Sequence, residues 1–282
     1  MKFSFDTISE KATKVREYHL KVLGKRANKF FNTIGARYSC PVCGERVKAF
    51  QPLPRWISEN LEKHGYEYTT AQTETCNTRN YRCPYCEASD RERLYALYLQ
   101  KYFSSPESGH VNAILDIGPS TRLSRFIREQ IAALGRNISY RTADLNNEQA
   151  DDKVDIMAME IYADGQFDFV ICSHVLEHVT DDRLALRELY RVLKSGGKGI
   201  VMVPIVLGLE EIDEDPTIED ENERWRRFGQ YDHVRIYSKD GFVDRVKEAG
   251  FLVRQYGKGF FGEDAFQKAA ITDQSVLYVV EK

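Results

Sequence analysis

Long apolar stretches are missing from this sequence: no run in its 282 residues approaches the ~20 needed to cross a bilayer as a helix, so no span is expected. The first ten residues, Met1 to Glu10, mix charge with Phe3 and Phe5 and lack an apolar stretch followed by a small-residue cleavage site. A secretory leader is therefore not expected, and a cytoplasmic location is. Internal repeats and low-complexity tracts are absent too, which sets aside solenoid and disordered architectures. Missing as well is the G-x-G-x-x-G run that lets a backbone approach a pyrophosphate, which argues against nicotinamide and flavin dinucleotides.

A hydrophobic content of 42% and an aromatic content of 12% suit a folded chain with one sizeable core and a smaller appendage. The net charge of -3 hides an asymmetry, because residues 1–39 hold nine Lys and Arg against three acids. Residues 1–36 read as a basic helical arm that could contact an anionic partner. A solvated helix with Val15, Leu20, Leu23, Phe30 and Phe31 turned inward explains the same residues.

From residue 37 to residue 90 the texture changes to cysteine pairs, prolines and short mixed stretches. Cys40-Pro-Val-Cys43 and Cys83-Pro-Tyr-Cys86 form two C-x-x-C knuckles, whose four thiolates suit tetrahedral Zn²⁺ in a small ribbon-like module. Four thiolates leave no open coordination position, so this zinc is expected to be structural. Cys76 and His64 lie between the knuckles as possible substitute ligands, and Cys172 is assigned to packing. Residues 91–110 read as a linker, with an amphipathic helix over Arg91 to Phe103.

Residues 111–282 alternate strand-like and helix-like segments: Val111 to Ile117, Ser120 to Leu134, Ile138 to Asp144, Phe167 to Cys172, Asp182 to Leu193 and Gly199 to Pro204. This pattern argues for an α/β fold, a parallel sheet with helices on both faces. The helix Lys239 to Ala249 then leads to two final strands, Phe251 to Tyr256 and Val276 to Val280, expected as a hairpin at the sheet edge. Ile114-Leu115-Asp116-Ile117-Gly118 places an acid and a glycine at the carboxyl end of the first strand, the crevice where open α/β sheets bind ligands. Asp144 ends the next strand, 28 residues on, and can accept from ribose hydroxyls. Leu145 follows it, and Asp155-Ile156 reads as an acid and an apolar residue for an adenine, with a surface role for Asp155 as the alternative.

Phe167-Asp168-Phe169-Val170-Ile171-Cys172-Ser173-His174-Val175-Leu176-Glu177-His178-Val179, with Leu186 to Gly197 after it, resembles the class I methyltransferases of the ubiquinone/menaquinone-type, methyltransferase type 11 superfamily. The resemblance spans roughly 111–207 and implies a Rossmann-like sheet, S-adenosylmethionine as cofactor, and cofactor contacts from Ser173 and His174. It departs at Pro119-Ser120, where a second glycine is usual. His174-x-x-Glu177-His178 also matches an inverted zinc-peptidase signature, but that signature belongs within a helix, and here it follows an apolar strand.

His178 and His233 are the candidate general bases, since a neutral imidazole takes a proton near pH 7. Arg224, Arg226, Arg227 and Arg235 could bind an anionic acceptor or could pair with the acids of 210–223. A small-molecule or glycan-type acceptor is the leading expectation. RNA, and a non-enzymatic zinc-bearing adaptor with a degenerate cofactor site, are the alternatives.

Overall fold

The computed structural model describes residues 35–282, so the expected basic arm lies almost entirely outside the described residues. The chain enters through a two-stranded hairpin, β1 (Tyr38–Ser39) with β2 (Arg46–Val47), that encloses the first knuckle. The two knuckles share one backbone pattern. Gly44 N–H donates to Cys40 O and Glu87 N–H to Cys83 O, while Cys40 N–H donates to Glu45 O and Cys83 N–H to Ala88 O. Gly44 and Glu87 both have positive φ, 73° and 62°. Glycine adopts that conformation freely, whereas Glu87 carries the cost of a Cβ there.

Between the knuckles runs α1 (Arg55–Lys63), and after the second comes α2 (Asp90–Phe103). Sequence dictates where α2 starts. Ser89 Oγ accepts from Glu92 N–H, the Glu92 carboxylate accepts from Ser89 N–H, and Asp90 and Glu92 favour the positive end of the helix dipole. The expected linker helix is a core element: Leu94, Tyr95, Ala96, Leu99, Tyr102 and Phe103 are buried. One apolar core runs from Cys40, Cys83 and Cys86 through this helix to Phe169 and Ile200 of the main sheet.

The alternating region then gives β3 (Ala113–Ile117), α3 (Thr121–Leu134), β4 (Ser139–Asp144), β5 (Asp152–Lys153), β6 (Phe167–Ser173), α4 (Asp182–Val192) and β7 (Leu193–Met202). A segment carrying β8 (Asp213–Glu214), α5 (Glu221–Phe228) and β9 (Arg235–Ile236) follows. The chain finishes with α6 (Lys239–Glu248), β10 (Leu252–Tyr256), α7 (Lys258–Phe261), α8 (Glu263–Ala269) and β11 (Leu277–Glu281). Seven strands form the main sheet in the order β10-β11-β7-β6-β3-β4-β5. From β7 to β5 neighbours are parallel, and β11 runs antiparallel to both β7 and β10. The expected terminal pair is present at the edge, with β11 inside and β10 outermost. This is a Rossmann-like α/β sheet. Its strand order reverses at β3, which puts the ligand crevice at the carboxyl ends of β3 and β6.

Three ties fix the remaining segments over that crevice. Glu74 N–H donates to Ile205 O and Leu207 N–H to Gln72 O, joining the stretch between the knuckles to the segment after β7. His64 stacks on Trp225 with ring centroids 5.4 Å apart. Fully buried Arg93 donates from Nε to Ala269 O, from Nη1 to Tyr81 O and Ala88 O, and from Nη2 to Asn80 O and Ala270 O. All five guanidinium N–H groups are thereby used. No helix of the described residues is long and apolar enough to cross a membrane.

Replacing Arg93 with Met leaves the carbonyls of Asn80, Tyr81 and Ala269 without this donor, while Ala88 O keeps Cys83 N–H and Ala270 O keeps Asn77 Nδ2. Arg93→Met should lower unfolding free energy by on the order of 3–5 kcal/mol, read by urea denaturation. A loss under about 1 kcal/mol would show that the guanidinium does not bolt the segments together.

Candidate functional site

Two cavities open at the crevice. The first, of about 550 Å³, is lined by Gly118, Asp144, Leu145, Asp155, Ile156, His174, Val175, His178, Arg224 and Asp232, with Ile117, Asn146, Val154 and Val179. Six of the eight residues expected to hold the cofactor therefore share one wall. Gly118 has φ 64°, and a Cβ there would sit 2.6 Å from Val175 Cγ2, so both backbone and space require glycine. Asp144 Oδ1 accepts from the N–H groups of Asn146 and Asn147 at 2.7 and 2.8 Å. Its Oδ2 has no donor among the described residues.

Asp116 and Ser173 are placed elsewhere. Asp116 is buried beneath the turn and accepts from the Tyr140 hydroxyl, and burial pushes its carboxyl up to about 7. Ser173 Oγ lies 2.9 Å from the Tyr95 hydroxyl of α2. The Pro119-Ser120 departure also has a local cause. Ser120 caps α3 through Leu123 N–H, and its hydroxyl donates to the Glu92 carboxylate.

The second cavity, of about 350 Å³, brings together Cys76, Tyr81, Arg91, His174, Glu177, His178, Phe228 and His233, and its outer wall comes from residues 53–75 between the knuckles. His174 and His178 border both cavities. Among the described residues Arg91 pairs with no carboxylate; its Nη1 lies 3.5 Å from His174 Nδ1. The roles of Arg91, Glu177 and Asp232 were not assigned from sequence. Glu177 stood inside a quoted motif, but its burial depends on contacts made some 55 residues later in the chain.

The loop after β6 carries three titratable side chains, His174, Glu177 and His178. His174 has a left-handed backbone, φ 58°, uncommon for a residue with a Cβ. His174 Nδ1 is 3.2 Å from the carboxylate of fully buried Glu177. Burial and the Arg91 guanidinium push the His174 imidazole down to about 4. Burial opposes ionisation of Glu177, but the surrounding imidazoles hold its carboxyl down to about 2. His178 Nδ1 faces Asp232 Oδ2 at 3.3 Å; burial works against its protonation, yet Asp232 and Glu177 outweigh that and raise it above the ordinary imidazole value. His233 packs edge-on to His178 with ring centroids 4.7 Å apart, its Nδ1 3.2 Å from Phe228 O, and burial lowers its basicity.

Buried Arg235 positions this loop by donating to the carbonyls of Leu176, Val179 and Thr180 while its Nε pairs with Glu214 at 3.0 Å. The open choice for the arginines thus falls mostly to internal pairing. Arg235 is in this network, Arg227 pairs with Asp213 and Asp215, and Arg226 pairs with Glu223. Arg224 alone of the four lines the first cavity.

Cys40, Cys43, Cys83 and Cys86 converge in a separate cluster. Cys40 and Cys86 Sγ are 3.7 Å apart, and Cys43 and Cys83 Sγ are 3.9 Å apart. A tetrahedron with Zn–S bonds of ~2.3 Å has edges of about 3.8 Å, so the donor set fits zinc. His64 and Cys76 are not in the cluster.

Residues 115–201 match the family model described as "Methyltransferase domain". Among solved structures, an S-adenosylmethionine-dependent methyltransferase from Archaeoglobus fulgidus is 16% identical, covering 69% of this chain and 95% of that one at a TM-score of 0.43. One from Mesorhizobium loti is 13% identical over 68% and 98% at 0.42. Phosphoethanolamine N-methyltransferase 2 from Haemonchus contortus, in complex with phosphomonomethylethanolamine and S-adenosylhomocysteine, is 15% identical over 66% and 52% at 0.39. No curated protein sequence matches. The family match supports an enzyme, with residues 115–201 similar to a methyltransferase domain.

The buried Asp116 carboxyl makes stability pH-dependent. Its folded value of about 7 stands above the ordinary 3.8, so the native state binds this proton more tightly and loses relative stability as pH rises from about 4 to about 7. Asp116→Asn cannot ionise. Its stability relative to wild type should improve across that window by on the order of a few kcal/mol, measured by urea unfolding at several pH values. A difference that stays flat with pH would mean the carboxyl is not held protonated.

Proposed function

We propose that the enzyme methylates a small-molecule or glycan-type acceptor carrying an anionic group, bound in the second cavity and approached from the first. The observation that carries this reading is the shared wall: His174 and His178 border both cavities, so a donor and an acceptor would meet there. Arg91, a cation without a carboxylate partner among the described residues, suits an anionic substituent. A cavity of about 350 Å³ suits a small molecule or one or two sugar units better than a folded nucleic acid.

In the first cavity we assign Asp144 Oδ2 to the ribose hydroxyls, Asp155 and Ile156 to the adenine, and the Gly118 turn and Leu145 to close backbone and apolar contact. The unpaired Oδ2 fits such a ligand. We place Asp116 and Ser173 as supports of that turn and of the β6 end, acting through Tyr140 and Tyr95. When bound, S-adenosylmethionine supplies a methyl group on a sulfonium, already a good leaving group. The protein's work is to seat the acceptor atom in line and exclude water.

His178 and His233 are the groups we assign to act on that acceptor atom. His233 Nδ1 is directed at Phe228 O, leaving Nε2 as the free lone pair, and burial keeps the ring neutral. Residues 37–90 are read as a structural zinc module holding Zn²⁺ on Cys40, Cys43, Cys83 and Cys86. Its insertion walls the acceptor cavity, which ties the module to substrate shape.

Three measurements test this assignment. Asp144→Ala should weaken S-adenosylhomocysteine binding by 1–3 kcal/mol, roughly 5- to 150-fold, in calorimetry; NADH binding tighter than S-adenosylhomocysteine would overturn the cofactor. His233→Ala should leave cofactor affinity intact and cut turnover by roughly 10²- to 10⁴-fold, and wild-type turnover would make His233 structural. Elemental analysis should find about one tightly held zinc per chain, with chelation lowering the melting temperature. Metal-free protein that melts unchanged would remove the zinc assignment.

A further inference from the structure

The side chain of Glu177 is fully buried, and neither carboxylate oxygen has a hydrogen-bond partner among the described residues. A charge in that position is costly unless something compensates it. Around it stand imidazoles whose other nitrogens are already committed. His178 Nδ1 is turned to the Asp232 carboxylate at 3.3 Å and His233 Nδ1 to the Phe228 carbonyl at 3.2 Å. That is the outer arrangement found behind metal-bound histidines: a carboxylate or carbonyl takes the far N–H and fixes the near nitrogen as a lone pair. The near atom of His178, Nε2, lies 4.0 Å from Glu177 Oε1. One donor atom from each of Glu177, His178 and His233 falls within 4.8 Å of the others. Bonds of about 2.0–2.2 Å to one ion would require these atoms to close in by several tenths of an ångström.

From this geometry we propose that Glu177, His178 and His233 form a divalent transition-metal site at the acceptor end of the crevice, distinct from the four-thiolate cluster. Two imidazoles and one carboxylate leave coordination positions open toward the second cavity, where an acceptor's oxygen or nitrogen can bind. The proposal rests on the reading of that cavity as the acceptor site and specifies how the two histidines act there. In the transfer, the C–S bond breaks, the acceptor's lone pair forms the new bond to carbon, and the acceptor's proton leaves to water. A cation on the acceptor atom makes that proton easier to lose. Local charge fits: the carboxylates of Glu177 and Asp232 outnumber the guanidinium of Arg91, and a dication with an anionic acceptor balances them.

The site differs from the peptidase arrangement that the H-x-x-E-H spacing suggests. Residues 174–180 form turns, not a helix, and the third ligand, His233, arrives from the segment before β9. His174 is held instead against Glu177 and Arg91.

The experiment is a Mn²⁺ titration of the full-length, zinc-loaded protein, read as loss of the free-ion paramagnetic resonance signal. Mn²⁺ favours nitrogen and oxygen donors and does not displace zinc from thiolates. One saturable Mn²⁺ per chain is expected, with affinity reduced at least 100-fold in Glu177→Gln and His233→Ala and 10- to 100-fold in Asp232→Asn. Glu177→Gln keeps the side-chain volume, and its melting and far-UV circular dichroism are recorded without metal, so that loss of binding in a variant that is folded like wild type cannot be put down to misfolding. Co²⁺ should show visible ligand-field bands without thiolate charge-transfer bands. Wild-type protein that takes up no Mn²⁺, or a Glu177→Gln variant that binds it equally, overturns the site. S-adenosylhomocysteine calorimetry on the same samples separates the two ideas: cofactor binding without Mn²⁺ binding sinks the metal site alone, whereas Mn²⁺ binding without cofactor binding sinks the cofactor-site reading alone.

Discussion

Arg93 makes the cysteine cluster and the catalytic sheet one object. Its guanidinium takes carbonyls from two places, Asn80, Tyr81 and Ala88 around the second knuckle and Ala269 and Ala270 at the end of α8, and packs flat over Phe50 at 3.8 Å. A lysine could not replace it, because three donors on one point cannot serve five acceptors lying in a plane. With α2 fixed by that contact, its neighbours in sequence acquire defined positions. Arg91 and Tyr95, one helical turn apart, reach the second cavity and the end of β6, and Glu92 reaches the start of α3. Any disturbance of the four thiols would pass through this helix to the crevice.

A second buried network holds the other side. Arg245 pairs with Asp182 at 2.8 Å and Glu214 at 3.0 Å, and Arg235 shares both carboxylates while gripping the carbonyls of the loop after β6. Burying Arg235, Arg245 and Asp182 with the half-buried Glu214 stabilises little by itself, since desolvation cancels much of the attraction. What the network supplies is position. Arg235 and the Val234 N–H to Glu177 O bond register the 174–180 loop against the segment carrying Asp232 and His233. That registration is what lets His178 meet Asp232.

The strands and helices were readable because burial leaves a local pattern. The Phe167–Ser173 run is apolar on both faces, as a central parallel strand must be, and Ser89, Ser120 and Gly135 mark helix ends by their own chemistry. That Gly118, Asp144, Asp155 and His174 would line one cavity was readable for the same reason: each follows or ends a strand named by its neighbours. Residues whose partners lie far along the chain were not. For Arg235 the sequence left ligand binding and pairing with the acids of 210–223 both open, because the contacts to Asp182 and Glu214 are fixed only by the tertiary fold. Glu177 gave no sign of being buried without a hydrogen-bond partner, and nothing in 53–75 marked that stretch as a cavity wall.

The short glycine turn is where local reading and the structure diverge most usefully. Read along the chain, Gly118-Pro119-Ser120 is a glycine motif with a member missing, and that suggests a weakened cofactor site. In three dimensions the position is occupied for a reason: Ser120 is at once the cap of α3 and a donor to Glu92, whose other oxygen caps α2. A glycine at 120 would free the backbone but would leave the Glu92 carboxylate, only 6% exposed, without one of its donors. The one glycine that the crevice cannot lose, Gly118, is present and is held against Val175. The substitution therefore belongs to the docking of α2 onto the sheet, and the residues facing the first cavity, Asp144, Asp155 and Ile156, keep the chemistry of a functional site.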